Sequence, residues 1–201
     1  MIELYTSPTP NGYKASVTLE ELELPYNVHV VNLQEGAQKT PDFLAMNPNG
    51  RIPVIVDPDF DNLAIFETGA IMVHLAEKTG RLMPSDAKGR ARVMSWLMFQ
   101  MGGIGPIFGQ VHHFKRAAKE EVPYAINRYY TECRRLYGVL NGRLEEREYL
   151  AGDVSIADFA ALPWVFRHDW QEVDLADFPN VKRWYESLMA RPALARGMEL
   201  P

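Results

Sequence analysis

The hydrophobic period changes once along this 201-residue chain, and that change restricts it to a fold of two unlike parts. Up to about residue 78 the pattern alternates between period-2 strands and 3.6-period helices, and from about residue 86 only the helical period is present. Between them, Lys78-Thr-Gly-Arg-Leu-Met-Pro-Ser-Asp86 has the Gly, Pro and Ser punctuation of a linker. Charge divides at the same place. Residues 1–78 carry 4 basic and 11 acidic side chains, a balance of −7, whereas residues 79–201 carry 17 and 15, a balance of +2. The expected domains are residues 1–79 and residues 86–201.

In the first part a strand over Ile2 to Tyr5 precedes the turn Ser7-Pro-Thr-Pro-Asn-Gly12, a helix over Lys14 to Leu22 and a strand over Tyr26 to Val31. A short helix at Pro41 to Met46 leads into Asn47-Pro-Asn-Gly50 and two apolar strands, Val54 to Val56 and Leu63 to Phe66. Their short, turn-rich connection predicts antiparallel pairing. Thr68 then opens a helix to about Thr79. This order, βαβ, α, ββα, predicts an α/β thioredoxin-like domain on a small mixed sheet.

The second part reads as an all-α helical bundle, with helices over Asp86 to Met101, Tyr124 to Leu144 and Pro179 to Met189. Ser155-Ile-Ala-Asp158 is a capping-box pattern at the start of another. Val93 to Phe114 lacks Asp, Glu, Lys and Arg, yet Gln100, Gln110, His112 and His113 argue against a membrane span. Gly102, Gly103, Gly105, Pro106 and Gly109 predict that this buried helix ends in a tight loop. The N-terminus, acidic at its third residue, carries no secretory signal pattern.

Composition narrows the function. A formal charge of −5 is the wrong sign for a nucleic-acid platform. One cysteine, Cys133, allows no internal disulfide, Cys-x-x-Cys pair or cysteine-rich metal centre, and fits a reducing, cytoplasmic compartment. Cys133 falls on the apolar stripe Tyr129, Cys133, Leu136, Leu140, Leu144, where it reads as core. Adjacent His112 and His113 point about 100° apart on a helix and have no carboxylate nearby, so no metal is expected.

Three short segments of the first part read together as a site. Ser7, Thr9 and Asn11 place side-chain donors at a helix N-terminus, which favours anions. Ile52-Pro53 precedes a buried strand, and a cis bond there would leave the Ile52 backbone able to bond an extended peptide. At Glu67-Thr68 another helix opens, so that N–H groups and the Thr68 hydroxyl can hold a carboxylate while Glu67 takes an ammonium group. Each segment alone is an ordinary turn, strand start or cap. Together they describe a slot for a short zwitterionic peptide.

Thr9-Pro-Asn-Gly12, Gln38, Asn47-Pro-Asn-Gly-Arg-Ile-Pro-Val-Ile-Val-Asp57, Phe66-Glu-Thr-Gly-Ala70, Gly105-Pro106, Gln110, His112-His113-Phe114, Pro123-Tyr-Ala-Ile126 and Ser155-Ile-Ala-Asp158 run through nearly the whole chain. With them the sequence resembles the glutathione transferase superfamily and, within it, the nu class, which includes bacterial disulfide-bond oxidoreductases of the yeast nitrogen-regulator type. The resemblance implies a glutathione-binding first domain and a helical domain completing the second-substrate site and a homodimer interface. It implies glutathione as co-substrate, held by Thr9, Asn11, Gln38, Arg51, Ile52, Pro53, Glu67 and Thr68, with Arg128 reaching in from the other subunit. It also implies a disulfide or an electrophile as second substrate.

Because the loop from Tyr5 to Asn11 has no cysteine, a reaction on disulfides must use the thiol of glutathione itself. Thr9 and Asn11 are the expected thiolate donors, with Ser7 as the alternative. The resulting expectation is a glutathione-dependent disulfide reductase. A glutathione S-transferase acting on electrophiles and a non-catalytic glutathione-binding regulator are the competing readings.

Overall fold

The computed structural model describes residues 1–199, which form two compact units, one of residues 1–83 with the chain from Ala190 onward and one of residues 84–189. In the first unit β1 (Ile2–Thr6), α1 (Pro10–Glu21) and β2 (Tyr26–Val30) make the βαβ element. They are followed by α2 (Pro41–Met46), β3 (Val54–Asp57), β4 (Leu63–Phe66) and α3 (Thr68–Thr79). The sheet order is β2-β1-β3-β4, with β2 parallel to β1 and the other two pairings antiparallel. Alternation along the strands sends Leu4 and Ile55 to one face, where they join Ala15, Leu19, Ile71 and Leu75 in a core. Val54 goes to the other face, with Val31 and Phe43.

An acid at the end of β3 fixes α3. Asp57, fully buried, accepts hydrogen bonds from Lys78 Nζ at 2.8 and 2.9 Å and lies 2.7 Å from His74 Nε2. Burial alone would raise its pKa, but the hydrogen bonds from Lys78 and His74 outweigh this and hold its carboxyl below the usual carboxylate range.

The second unit contains α4 (Ala87–Phe99), α5 (Gly105–His112), α6 (Pro123–Arg143), α7 (Ile156–Val165) and α8 (Pro179–Met189). The expected tight loop after α4 is absent. Helical turns continue to Ala117 through wide π turns at Gln100–Ile104 and His113–Ala117. Pro106 falls in the first turn of α5, where no N–H is needed. Gly105 and Gly109 do not break the helix: a Cβ on Gly105 would lie 3.0 Å from Gln100 Nε2, a close approach, and one on Gly109 would make only ordinary contact with the Trp164 ring at 3.4 Å. Ser155 and Asp158 form the expected capping box, and buried Asp158 also accepts from Leu150 N and Trp184 Nε1, each at 2.9 Å, tying α7 to α8.

The chain then returns to the first unit. α9 (Pro192–Glu199), which the sequence reading did not separate from the helical part, packs on α1. Ser16 Oγ donates to the Gly197 carbonyl at 2.6 Å, Arg196 meets Glu20 at 2.8 Å, and the Arg191 guanidinium holds Glu21. A Cβ on Gly197 would lie 2.6 Å from Val17 Cα, which sets how closely the helices approach. The expected boundary of 86–201 is thus corrected, because the last helix finds its apolar partner on α1.

Two predictions follow from these contacts. Gly197→Ala overpacks the α1/α9 contact and lowers stability by about 1–3 kcal/mol in denaturant melts, and an unchanged midpoint would contradict the packing described. Asp57→Asn costs about 3 kcal/mol at pH 7, because a buried ion pair loses its anion. Since the folded-state pKa of Asp57 is depressed, its contribution is present at neutral pH and is lost as the pH falls below about 4. The acid limb of the stability profile should flatten in the variant, and an identical limb would exclude this role.

Candidate functional site

The sheet register brings the candidate segments together. Tyr5 pairs with Val54 and Val54 with Phe66, so the chain leaving β1, the chain entering β3 and the chain leaving β4 all lie at one end of the sheet. Ser7 to Asn11, Ile52-Pro53 and Glu67-Thr68 are those three segments.

The turn from β1 into α1 is unusually tight. A Cβ on Gly12 would sit 2.1 Å from the Ser7 carbonyl oxygen and 2.6 Å from Thr6 Oγ1, so only glycine fits. Thr9, extended at φ −127°, caps α1, and its Oγ1 accepts the Gly12 N–H at 3.1 Å. That bond uses a lone pair of the hydroxyl and leaves its proton to donate. The half-exposed Asn11 makes no side-chain hydrogen bond among the described residues. The two side chains therefore offer donors at the positive end of a helix. Ser7 does not, because its hydroxyl is buried and donates to the Val31 carbonyl, so the alternative donor is set aside.

Ile52-Pro53 is cis, and Ile52 makes no backbone hydrogen bond among the described residues. Asn47 shapes the approach to it, accepting Asn49 N–H at 3.0 Å and donating to the Arg51 carbonyl at 2.7 Å. Gly50, at φ +62°, lets this turn close on the Gln38 segment, since a Cβ there would lie 3.0 Å from Gln38 O. The side-chain oxygen of Gln38 is buried without a partner among the described residues, and exposed Arg51 makes no ion pair there.

Glu67 holds a left-handed conformation, φ +66° and ψ 117°, which for a residue with a side chain costs about 1–3 kcal/mol. This sharp corner turns β4 directly into α3 and leaves Glu67 exposed with Thr68 buried behind it. Lys14 Nζ lies 3.3 Å from Thr68 Oγ1. The sequence reading missed Lys14, since nothing in its spacing marks a lysine of α1 as only 2% exposed.

In the second unit Arg128 is exposed on α6 beside a groove of about 480 Å³ lined also by Ile107, Tyr124, Tyr129 and Glu132. Its charge acts on Glu132 one turn on, but it makes no hydrogen bond to it. Glu132 is held by two 2.7 Å bonds from Arg135. His112 stacks on Trp164 and meets Gln171 Nε2 at 3.1 Å; burial, with Arg167 and Arg116 nearby, pushes it down to about 4. Burial pushes the Cys133 thiol up to about 12, against the opposing effect of Lys115 and Arg134, which makes it inert. Among the described residues no group of three or more His, Cys, Asp and Glu side chains could hold a metal ion.

Comparison with known proteins establishes the family. Residues 1–77 match the family model of the glutathione S-transferase N-terminal domain and residues 108–192 that of the C-terminal domain. Disulfide-bond oxidoreductase YfcG of Escherichia coli K12 is 47% identical over 203 residues, spanning 98% of this chain and 94% of that protein. A Burkholderia graminis glutathione transferase, solved with two glutathione molecules bound per subunit, is 46% identical at a TM-score of 0.93, covering 100% of this chain and 88% of that one. A Pseudomonas putida glutathione transferase, solved with one glutathione disulfide per subunit, is 40% identical at 0.93, covering 100% and 91%. Similarity along nearly the whole length, at this identity, places the chain in the glutathione S-transferase family.

Proposed function

We propose that this chain is a glutathione-dependent disulfide reductase in which the reacting thiol belongs to bound glutathione. The carrying observation is the β1–α1 turn, where Thr9 and Asn11 offer unspent donors at a helix N-terminus and the chain's one cysteine is buried elsewhere. The curated relative named as a disulfide-bond oxidoreductase and the relative solved with glutathione disulfide support the same reading.

In this reading the tripeptide lies extended along Ile52, whose free N–H and C=O take its backbone, with Pro53 fixing the corner. Glu67 takes the γ-glutamyl ammonium and Thr68, with the first N–H groups of α3, its carboxylate. Gln38 and Arg51 meet the glycyl end. The thiol is then delivered to Thr9 and Asn11. A thiol with a pKa of about 8.5 is only a few per cent ionised at pH 7, and lowering it by about two units requires about 2.7 kcal/mol. Hydrogen bonds to a charged group contribute about 1.5–3 kcal/mol and a helix N-terminus about 0.3–1, which is sufficient.

The thiolate attacks one sulfur of the substrate disulfide; the S–S bond breaks, a mixed disulfide with glutathione forms, and the other sulfur leaves as a thiolate. A second glutathione thiolate attacks the mixed disulfide, releasing the substrate thiol and glutathione disulfide. Two glutathione molecules are oxidised for each disulfide reduced. Such chemistry belongs to a reducing, cytoplasmic compartment.

Steady-state reduction of a small disulfide by glutathione, coupled to glutathione reductase, tests this. Asn11→Ala should lower kcat/KM by about 10- to 100-fold, the worth of one hydrogen bond to a charged group. A wild type that conjugates aryl halides but does not accelerate disulfide reduction would overturn the assignment in favour of a conventional transferase.

We also infer that the chain works as a homodimer in which Arg128, exposed and making no salt bridge in its own subunit among the described residues although its charge acts on Glu132, reaches the glutathione of its neighbour. A first domain at −7 benefits from such a cation. Arg128→Ala should weaken glutathione binding in calorimetry while leaving circular dichroism and melting temperature unchanged. Unaltered affinity would refute the cross-subunit role.

A further inference from the structure

In the second unit two arginines meet at one ring with no acidic side chain bonded to either. The guanidinium carbon of Arg116 lies 4.8 Å from the centre of the Trp170 ring and that of Arg167 4.4 Å from it. Neither side chain makes a hydrogen bond or an ion pair among the described residues, and Arg167 Nε is buried without a partner there. Other arginines of the unit are bonded, Arg134 to Asp177, Arg135 to Glu132 and Arg183 to the Leu144 and Arg147 carbonyls. Attraction to the indole face holds each guanidinium in place. It leaves two like charges repelling one another and leaves their forked N–H donors unused.

His112 belongs to the same cluster, its ring 5.5 Å from that of Trp170. A buried chain of hydrogen bonds fixes which of its nitrogens carries the proton. The Trp164 carbonyl can only accept, so the Gln171 amide turns its nitrogen there at 2.8 Å, and the Tyr137 hydroxyl donates to the amide oxygen at 2.6 Å. The other N–H of that amide meets His112 Nε2 at 3.1 Å, which must therefore accept. The imidazole proton then sits on Nδ1, which bonds nothing among the described residues. Burial, with Arg167 and Arg116, pushes His112 down to about 4, so the ring is a neutral Nδ1–H donor at pH 7. Exposed Asp169 acts on His112 through its charge, yet it pairs with neither arginine.

We propose that Arg116, Arg167 and the Nδ1–H of His112 form a binding site for a carboxylate, and that the disulfides this chain reduces are carboxylate-bearing ones. Three donor groups, two of them charged, are the donor set of an anion site, and the guanidinium fork matches the two oxygens of a planar carboxylate. Gln171 and Tyr137 contribute by holding the imidazole in the tautomer that donates. The choice of substrate rests on the reductase reading and deepens it.

The test compares glutathione-dependent reduction of two disulfides with the same carbon chain, 3,3′-dithiodipropionate, which carries two carboxylates, and uncharged bis(3-hydroxypropyl) disulfide. The wild type should show a kcat/KM roughly tenfold higher for the dicarboxylate, the usual worth of a charge-assisted hydrogen bond. In the double variant Arg116→Gln, Arg167→Gln that preference should collapse toward unity through a raised KM for the dicarboxylate. A folded double variant that keeps the preference overturns the proposal. An equal loss for both disulfides also does, since it indicates a packing role. Nitrogen NMR of the wild type gives a second readout that requires no variant. His112 should be the Nδ1–H tautomer, and its Nδ1 resonance should move on addition of 3,3′-dithiodipropionate and stay in place with the uncharged disulfide. An Nε2–H tautomer, or a resonance indifferent to the dicarboxylate, overturns the site. If the wild type reduces neither disulfide, the reductase reading itself fails and the titration alone decides whether the carboxylate site stands. If it reduces both without preference, that reading survives and this proposal does not.

Discussion

The candidate site depends on how closely α1 turns back over the end of β1. A Cβ on Gly12 would lie only 2.1 Å from the Ser7 carbonyl oxygen, so the chain can turn this tightly only with glycine there, and α1 begins at Pro10 with Thr9 as its cap. In that turn the Thr9 hydroxyl accepts the Gly12 N–H, and Asn11 falls on the first turn of α1. The turn also buries Ser7 against Val31. The same backbone geometry thus selects which donors remain for chemistry and which are consumed in holding the fold.

The rest of the first unit holds the other groups against this turn. Register brings Ile52 and Glu67 to the same sheet end. The Asp57 clamp on His74 and Lys78 anchors the far half of α3, and Lys14 stands behind its N-terminus. The second unit holds its own interior by a comparable device, the capping box of α7 extended through Asp158 to Trp184. Burial lifts the Asp158 carboxyl to about 6 despite the hydrogen bonds it accepts from Leu150, Trp184 and Ser155.

Local signals were legible where local physics decides. Thr68–Thr79, Pro179–Met189 and Leu63–Phe66 read directly from cap, proline and alternation, and the Ser155 capping box from four residues. What was hidden depends on partners distant in sequence. Gly105 and Gly109 look like helix breakers, yet both lie within α5, where Gly105 comes close to Gln100. Pro192–Glu199 is too short to stand out and is settled by its fit to Val17. Ser7 and Thr9 offer the same chemistry on paper, and only Val31, 24 residues away, separates their roles. A lysine at position 14 reads as exposed by composition, and its burial is a property of the packed unit.

The central claim is that Thr9 and Asn11 stabilise a thiolate supplied by glutathione. The most direct test is the ultraviolet titration of the thiolate of protein-bound glutathione. The account predicts a pKa about two units below the free value of about 8.5 in the wild type, returning toward that value when Thr9 and Asn11 are both replaced by alanine. Bound glutathione that titrates at its free value in the wild type would contradict the account at its root.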